Sequence, residues 1–284
     1  MSIRNDLVRA VERIADALTL PDIARAQVTD PNPAPDRDAE FGLLALADDS
    51  VGLYYAWLGA TQADMPLRFP AATLIGRPPI EIARWLLADD DGSRSLGMAA
   101  INAISAHLYR RAGFVPDAAP DGFGGLALGA GDRLGMVGYF PSLVRRAREL
   151  GASVHVIERK AHLLRCEPGL EVTLDANALA GCNQVLCTGA TLLNDSLDDV
   201  LTHCSQSARI ALVGPTVGCI PDPLFARGIE CVAGTAVTDA AQAEARLRAG
   251  AKLGDAGRRT LIRSRAYPGL GPLIAAARQA STKP

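Results

Sequence analysis

From Arg133 onward the chain alternates two kinds of segment. Apolar runs of strand length (RLGMVGYF, ASVHVIER, QVLCTGATLL, RIALVGPTV and IECVAGTAV) are separated by helical patterns such as SLVRRARELG and LDDVLTHC. Strands that are apolar on both faces and divided by helices need cover on both sides, which is the condition of a parallel sheet. Right-handed crossovers then lead to a doubly wound, Rossmann-like α/β domain. A last helix over about Gly271–Ala280 packs back on one of the domains.

The first half has a different grammar. Ile3, Leu7, Val11, Ile14 and Leu18 recur at helical steps, with Ser2 as a cap and Pro21 as a stop. ARAQVTD is followed by a Pro- and Asp-rich loop over residues 30–38. GLLALAD and VGLYYAWLG then read as a hairpin around Asp48-Asp49-Ser50, and helices cover 79–87 and 93–111, the second stopped by Gly113. That order makes a smaller α+β unit. The segment 116–131, rich in Gly with Pro and Asp, carries no apolar period and reads as a linker, giving domains at 1–118 and 130–284. No internal repeat is present.

Composition excludes several functions. In 284 residues, 29 Lys+Arg face 31 Asp+Glu, so the net charge of −2 argues against electrostatic binding of nucleic acid. No apolar run reaches the roughly 18–20 residues a membrane span needs, and the opening MSIRNDLVRAVERIADAL has no signal-peptide core. A cytoplasmic protein is expected, with no nucleic-acid or membrane partner. A homo-oligomer is left open. With six cysteines and no C-x-x-C pair, a disulfide scaffold is not expected.

In an open α/β sheet ligands bind at the carboxyl ends of the strands. Here those ends carry Gly138-Tyr139-Phe140, Glu158-Arg159, Thr188-Gly189-Ala190-Thr191 with Asn194 beyond, and Gly214-Pro215-Thr216. Small residues let a ligand approach the backbone, and hydroxyls and free N–H groups suit polar or anionic groups. Gly135-x-x-Gly138-x-x-Pro141 is a distant relative of the dinucleotide fingerprint. Glu158, 20 residues after Gly138, stands where an acidic residue takes a ribose in nucleotide-binding versions of this fold. The other reading pairs Glu158 with Arg159 or Lys160, and Asn194 can equally be a helix cap. Of the thiols, Cys219, in the loop Val217–Pro221, is the best metal-ligand candidate, while Cys187 and Cys231 sit inside apolar strands as core residues. His107 lies on the apolar stripe of its helix. Asn102 points off that stripe, as a surface residue or as a contact toward the second domain. No hydrolase triad, Walker loop or zinc-protease motif occurs.

Taken together, Val137-Gly138-Tyr139-Phe140-Pro141, Glu158-Arg159, Thr188-Gly189-Ala190-Thr191-Leu192-Leu193-Asn194, Val213-Gly214-Pro215-Thr216, Pro221–Phe225, Leu74-Ile75-Gly76-Arg77-Pro78 and Gly97–Ala103 resemble the heavy-metal chelation family over nearly the whole chain. The sequence departs from the family pattern at Ala190 and at Asp195-Ser196. The resemblance implies a small domain like the N-terminal domain of enolase ahead of a Rossmann-like domain, with a site in the cleft between them. It also implies a role in handling metals or metal-binding molecules. Three readings stand: a protein that binds a transition metal or metal chelate, an enzyme using S-adenosylmethionine or NAD(P) with Glu158 on the ribose, and a non-catalytic binding module.

Overall fold

A computed structural model describes residues 2–29, 40–56 and 61–281; the Pro- and Asp-rich loop expected at 30–38 lies outside them. Helix α1 (Ile3–Ala17) starts where the Ser2 hydroxyl accepts the Asn5 amide, and buries Ile3, Leu7, Val11 and Ile14. Strands β1 (Ile23–Gln27), β2 (Phe41–Leu46) and β3 (Val51–Tyr55) form a three-stranded antiparallel sheet. Helices α2 (Thr61–Arg68), α3 (Ala71–Leu74) and α4 (Pro79–Ala83) follow, and a short 3-10 turn continues α4.

Helix α5 (Asp91–Ala112) begins at the Asp90 side chain, which accepts the Ser93 amide, and ends at Gly113 in the left-handed region. It is buried on nearly every side, because β3, α1, α4 and the C-terminal helix all pack on it. A helix at the centre of a molecule needs no polar face. The small sheet is also covered twice. Leu44, Leu46 and Tyr54 belong to the core around α1 and α5, whereas Leu43, Ala45, Val51 and Leu53 pack on Ala240, Ala243 and Leu247 from the second half of the chain. That double burial is why β2 and β3 read as unbroken apolar runs.

The second half builds a nine-stranded sheet among the described residues. In chain order its elements are β4 (Asp117–Ala118), β5 (Arg133–Val137), α6 (Pro141–Glu149), β6 (Ser153–Ile157), β7 (Arg165–Glu167), β8 (Leu170–Thr173) and β9 (Gln184–Thr188). Then come α7 (Ala190–Leu193), α8 (Leu197–Thr202), β10 (Arg209–Val213), α9 (Asp222–Phe225), β11 (Ile229–Val237), α10 (Ala240–Arg248), β12 (Gly257–Arg263) and α11 (Leu270–Ser281). The strands lie in the order β4-β12-β11-β10-β9-β5-β6-β8-β7. Strands β5, β6, β8, β9, β10 and β11 run parallel, while β4, β7 and β12 are antiparallel to their neighbours. The mixed α/β, Rossmann-like architecture is therefore present, with β6 on one side of β5 and β9 on the other. No helix among the described residues is long and apolar enough to cross a membrane.

Two features differ from the sequence reading. The segment 116–131 is a packed strap. Its β4 pairs with β12, and Phe123 and Leu126 are each 3% exposed against the sheet face that α6 also covers. Isolated anchors pin the strap to the sheet while most of its residues stay exposed or half-buried, so it carries no periodicity. Strands β7, β8 and β12 also give no apolar run: β7 is an edge strand, and β8 and β12, each one place in from an edge, carry Glu171 and Arg258, Arg259 and Arg263 among their apolar residues. Helix α11 packs on α5 and α1, across the boundary between the halves, and one hydrophobic core runs through both.

Candidate functional site

The expected strand-end residues fall into three places. Gly138 has φ +92, and its amide donates to Ile157 O at 2.9 Å. A side chain there would sit 3.3 Å from the Thr188 methyl, so β5 and β9 end in direct contact. The Gly189 amide donates to Val213 O at 2.8 Å and the Gly214 amide to Ala233 O at 3.0 Å, which locks the ends of β9, β10 and β11 together. Thr191 is 1% exposed and its hydroxyl donates to Thr188 O at 2.7 Å. Asn194 Oδ1 accepts the Ser196 amide and hydroxyl. Thr188, Gly189, Thr191, Asn194 and Gly214 thus spend their polar groups on the turns themselves.

Glu158 does the same. One carboxylate oxygen accepts the Tyr139 amide at 3.0 Å and the other the Lys160 amide at 3.1 Å. The carboxylate closes the β5 turn, and Arg159 beside it is exposed. Phe140 packs on the core beside α6. Tyr139 leaves this cluster. Arg165 stacks on its ring at 4.9 Å and donates to its hydroxyl, and Tyr139 lines an open groove along α6 with Arg145 and Arg148. The turn residues therefore do not share one hollow.

Asn102 and Pro215 belong to a different place. Asn102 is 2% exposed, and its amide donates to Leu53 O at 2.9 Å and to Thr216 O at 2.7 Å. Its oxygen accepts the Gly218 amide at 3.2 Å. Three residues on, the Ser105 hydroxyl accepts the Ile220 amide at 3.0 Å, and a turn further the Tyr109 hydroxyl donates to Cys219 O at 3.4 Å. One face of α5 thus holds the loop after β10. The contact expected from Asn102 toward the second half exists and is made to backbone.

That loop walls a cavity of about 240 Å³ between the halves. Asp49, Leu53, Ala106 and Arg110 line it from one side, and Pro215, Val217, Val232, Arg258, Thr260 and Ile262 from the other, with Asn102 and Tyr109 between. Arg258 and Thr260 were missed in the sequence because they lie on β12. The alternation Arg258-x-Thr260-x-Ile262 was the available signal. Below Asp49, His107 Nδ1 lies 2.7 Å from Asp48 Oδ2, and Arg110 donates to Asp48 O, so α5 holds the β2–β3 turn that rims the cavity.

Partial burial pushes the Asp48 carboxyl up, but His107 and the hydroxyl and amide of Ser50 more than offset it, holding it at about 2 against an ordinary 3.8. A carboxyl depressed in the folded state stabilises fully above its unfolded value, and loses that contribution as pH falls through the folded one. Asp48→Asn should therefore remove roughly 1–2 kcal/mol, allowing for solvent screening, from urea unfolding at pH 7. Wild type and variant should converge as pH falls from about 4 to 2; a constant difference across that window would assign the loss to packing.

The metal expectation meets a poor donor set. Cys219 is 1% exposed, and burial pushes its thiol up to about 12, away from the thiolate form that binds metal. Burial raises the Cys187 thiol as well. Among the described residues no group of three or more His, Cys, Asp or Glu could hold a metal ion. Cys219 packs as a small apolar residue, so the side chains described do not fit a protein-ligated metal centre.

Two family models, each described as "Putative heavy-metal chelation", match the chain: DUF4213 over residues 41–105 and DUF364 over residues 121–264. A crystal structure of a DUF364 protein of unknown function from Desulfitobacterium hafniense covers 92% of this chain and 99% of its own, at 22% identity and TM-score 0.65. One from Pyrococcus horikoshii covers 90% and 99%, at 20% identity and TM-score 0.63. These two show the shared fold. An uncharacterized protein of Methanocaldococcus jannaschii is 32% identical over 149 residues, which is 51% of this chain and 55% of that protein's length, so the match spans about half of each. With one family match filling half of the chain and a companion match ahead of it, the chain belongs to the DUF364 heavy-metal chelation family.

Proposed function

We propose that the protein binds a small metal chelate in the cavity between its two halves. The observation that carries this reading is that the two matched segments wall the same cavity: Asp49, Leu53 and Asn102 come from the first, and Pro215, Val217, Val232 and Arg258 from the second. A site at the junction of two units is a preferred place for a small molecule. The family description supplies the metal. The donor set supports the chelate, because a metal ion brought there would have to carry its ligands with it.

Calorimetry on the purified chain tests this with the citrate and nitrilotriacetate complexes of Fe(III), Co(II), Ni(II) and Cu(II), beside the simple metal salts. At least one complex should bind with 1:1 stoichiometry, and the simple salts should not. Ala106→Leu, which fills the cavity from α5, should weaken that binding at least roughly tenfold. Binding of bare ions that ignores Ala106→Leu, or no binding of any complex, would overturn the reading.

A further inference from the structure

Resting on that reading, we propose that the ligand is held by an oxyanion, of carboxylate or phosphate type, seated on Arg258 with Thr260 beside it. In the β11–β12 ladder Arg258 stands opposite Ala236, Thr260 opposite Gly234 and Ile262 opposite Val232. Paired residues share a face of a sheet, so this face sets a cation and a hydroxyl across from the two smallest side chains. Gly234 has no room for more, since a Cβ there would meet Val217 O at 2.0 Å. Beside Gly234 the Val217 backbone therefore closes the cavity wall, and the open space lies next to Ala236 and Arg258.

The guanidinium of Arg258 is held in place but not neutralised. Both terminal nitrogens donate to the Pro116 carbonyl, at 3.3 and 3.2 Å, and no carboxylate among the described residues forms an ion pair with it. Three other arginines of the second half are neutralised instead: Arg209 pairs with Glu230, Arg227 with Asp6 and Asp198, and Arg263 with Asp117. Arg258 is half-buried, and Thr260 is 8% exposed with no hydrogen bond to its hydroxyl among the described residues. The other charged groups on the cavity, Asp49 and Arg110, are exposed and oppose each other in sign. Inside them the excess charge is positive. A partly desolvated, unpaired cation favours an anion that brings two acceptor oxygens. Val232, Ile262 and Phe114 offer an apolar wall for the rest of the molecule.

Titrations of the full chain with citrate, inorganic phosphate and the uncharged trimethyl ester of citrate test this, each with wild type, Arg258→Gln, Thr260→Val and Ala106→Leu. Citrate or phosphate should bind, the ester should not, and whichever anion binds more tightly identifies the source of the oxygens. Arg258→Gln should weaken the anion roughly 10- to 100-fold, the range of one charge-assisted pair, and added salt should weaken wild type in the same direction. The near-isosteric Thr260→Val should weaken it roughly threefold to tenfold, and serves if Arg258→Gln does not fold. Equal binding of the ester, no effect of either substitution, or no binding of both anions overturns the inference. Chelates that bind wild type, are blocked by Ala106→Leu and ignore Arg258→Gln would leave the proposed function standing while removing this one.

Discussion

Gly52→Ala is expected to disable the small lobe. A Cβ on Gly52 would lie 1.9 Å from Ala99 O and 2.5 Å from Ala103 N, both backbone atoms of α5. No rotamer change relieves a clash between two main chains, so β3 and α5 must separate. Helix α5 cannot move away freely, because α1, α4 and α11 pack against it and share its core. Overpacking a core costs ~1–3 kcal/mol when side chains can adjust, and the loss here should exceed ~3 kcal/mol because they cannot. Urea unfolding followed by circular dichroism should show a lowered midpoint, or the variant should be recovered only as aggregate. Gly271→Ala is the control. That glycine is exposed in α11 with nothing within 4 Å of the added atom, so its midpoint should stay put or rise slightly. A Gly52→Ala protein as stable as wild type would mean that β3 does not cross α5 this closely.

Asn102→Leu should produce the second large loss. The side chains are similar in size, so the change removes hydrogen bonds with little change of volume. Leu53 O, Thr216 O and the Gly218 amide would each lose the partner that Asn102 provides. An unsatisfied buried group costs ~1–3 kcal/mol, and three sharing one side chain should cost ~3–5 kcal/mol together, since such losses do not simply add. Hydrogen exchange should show where the loss falls. Amides of residues 216–220 should exchange faster than in wild type, because Asn102 and Ser105 anchor that stretch to α5. Since Val217 and Gly218 line the cavity, the chelate binding proposed there should weaken along with stability. Unchanged exchange in the loop would show that Ser105 and Tyr109 suffice to hold it.

The legible and illegible parts of the molecule separate on physical grounds. Helix α1 shows in the sequence because only one of its faces is buried, and β5, β9, β10 and β11 show because both of theirs are. Helix α5 gives a blurred signal, since partners surround it. The strap at 116–131 shows no period because two anchors, Phe123 and Leu126, are enough to pin it to the sheet. The candidate site suffers most. Glycines, threonines and Glu158 at strand ends have the composition of a binding turn, yet in the structure they mostly satisfy one another's backbone. Cys219 reads as an available thiol in the loop Val217–Pro221 and is buried in the core, with its carbonyl held by the Tyr109 hydroxyl.

Read along the chain, residue order alone established that a parallel α/β sheet follows a smaller α+β unit, because strand and helix periods are local and each segment declares its own buried face. Only the tertiary structure decided where a ligand could lie. Arg258 and Asn102 are 156 positions apart in the chain, and they reach one cavity because β12 reverses against β11 while α5 grips the loop after β10. Contacts of that kind depend on chain reversals and on which backbone groups remain unpaired, and neither quantity is written in the periodicity of any single segment.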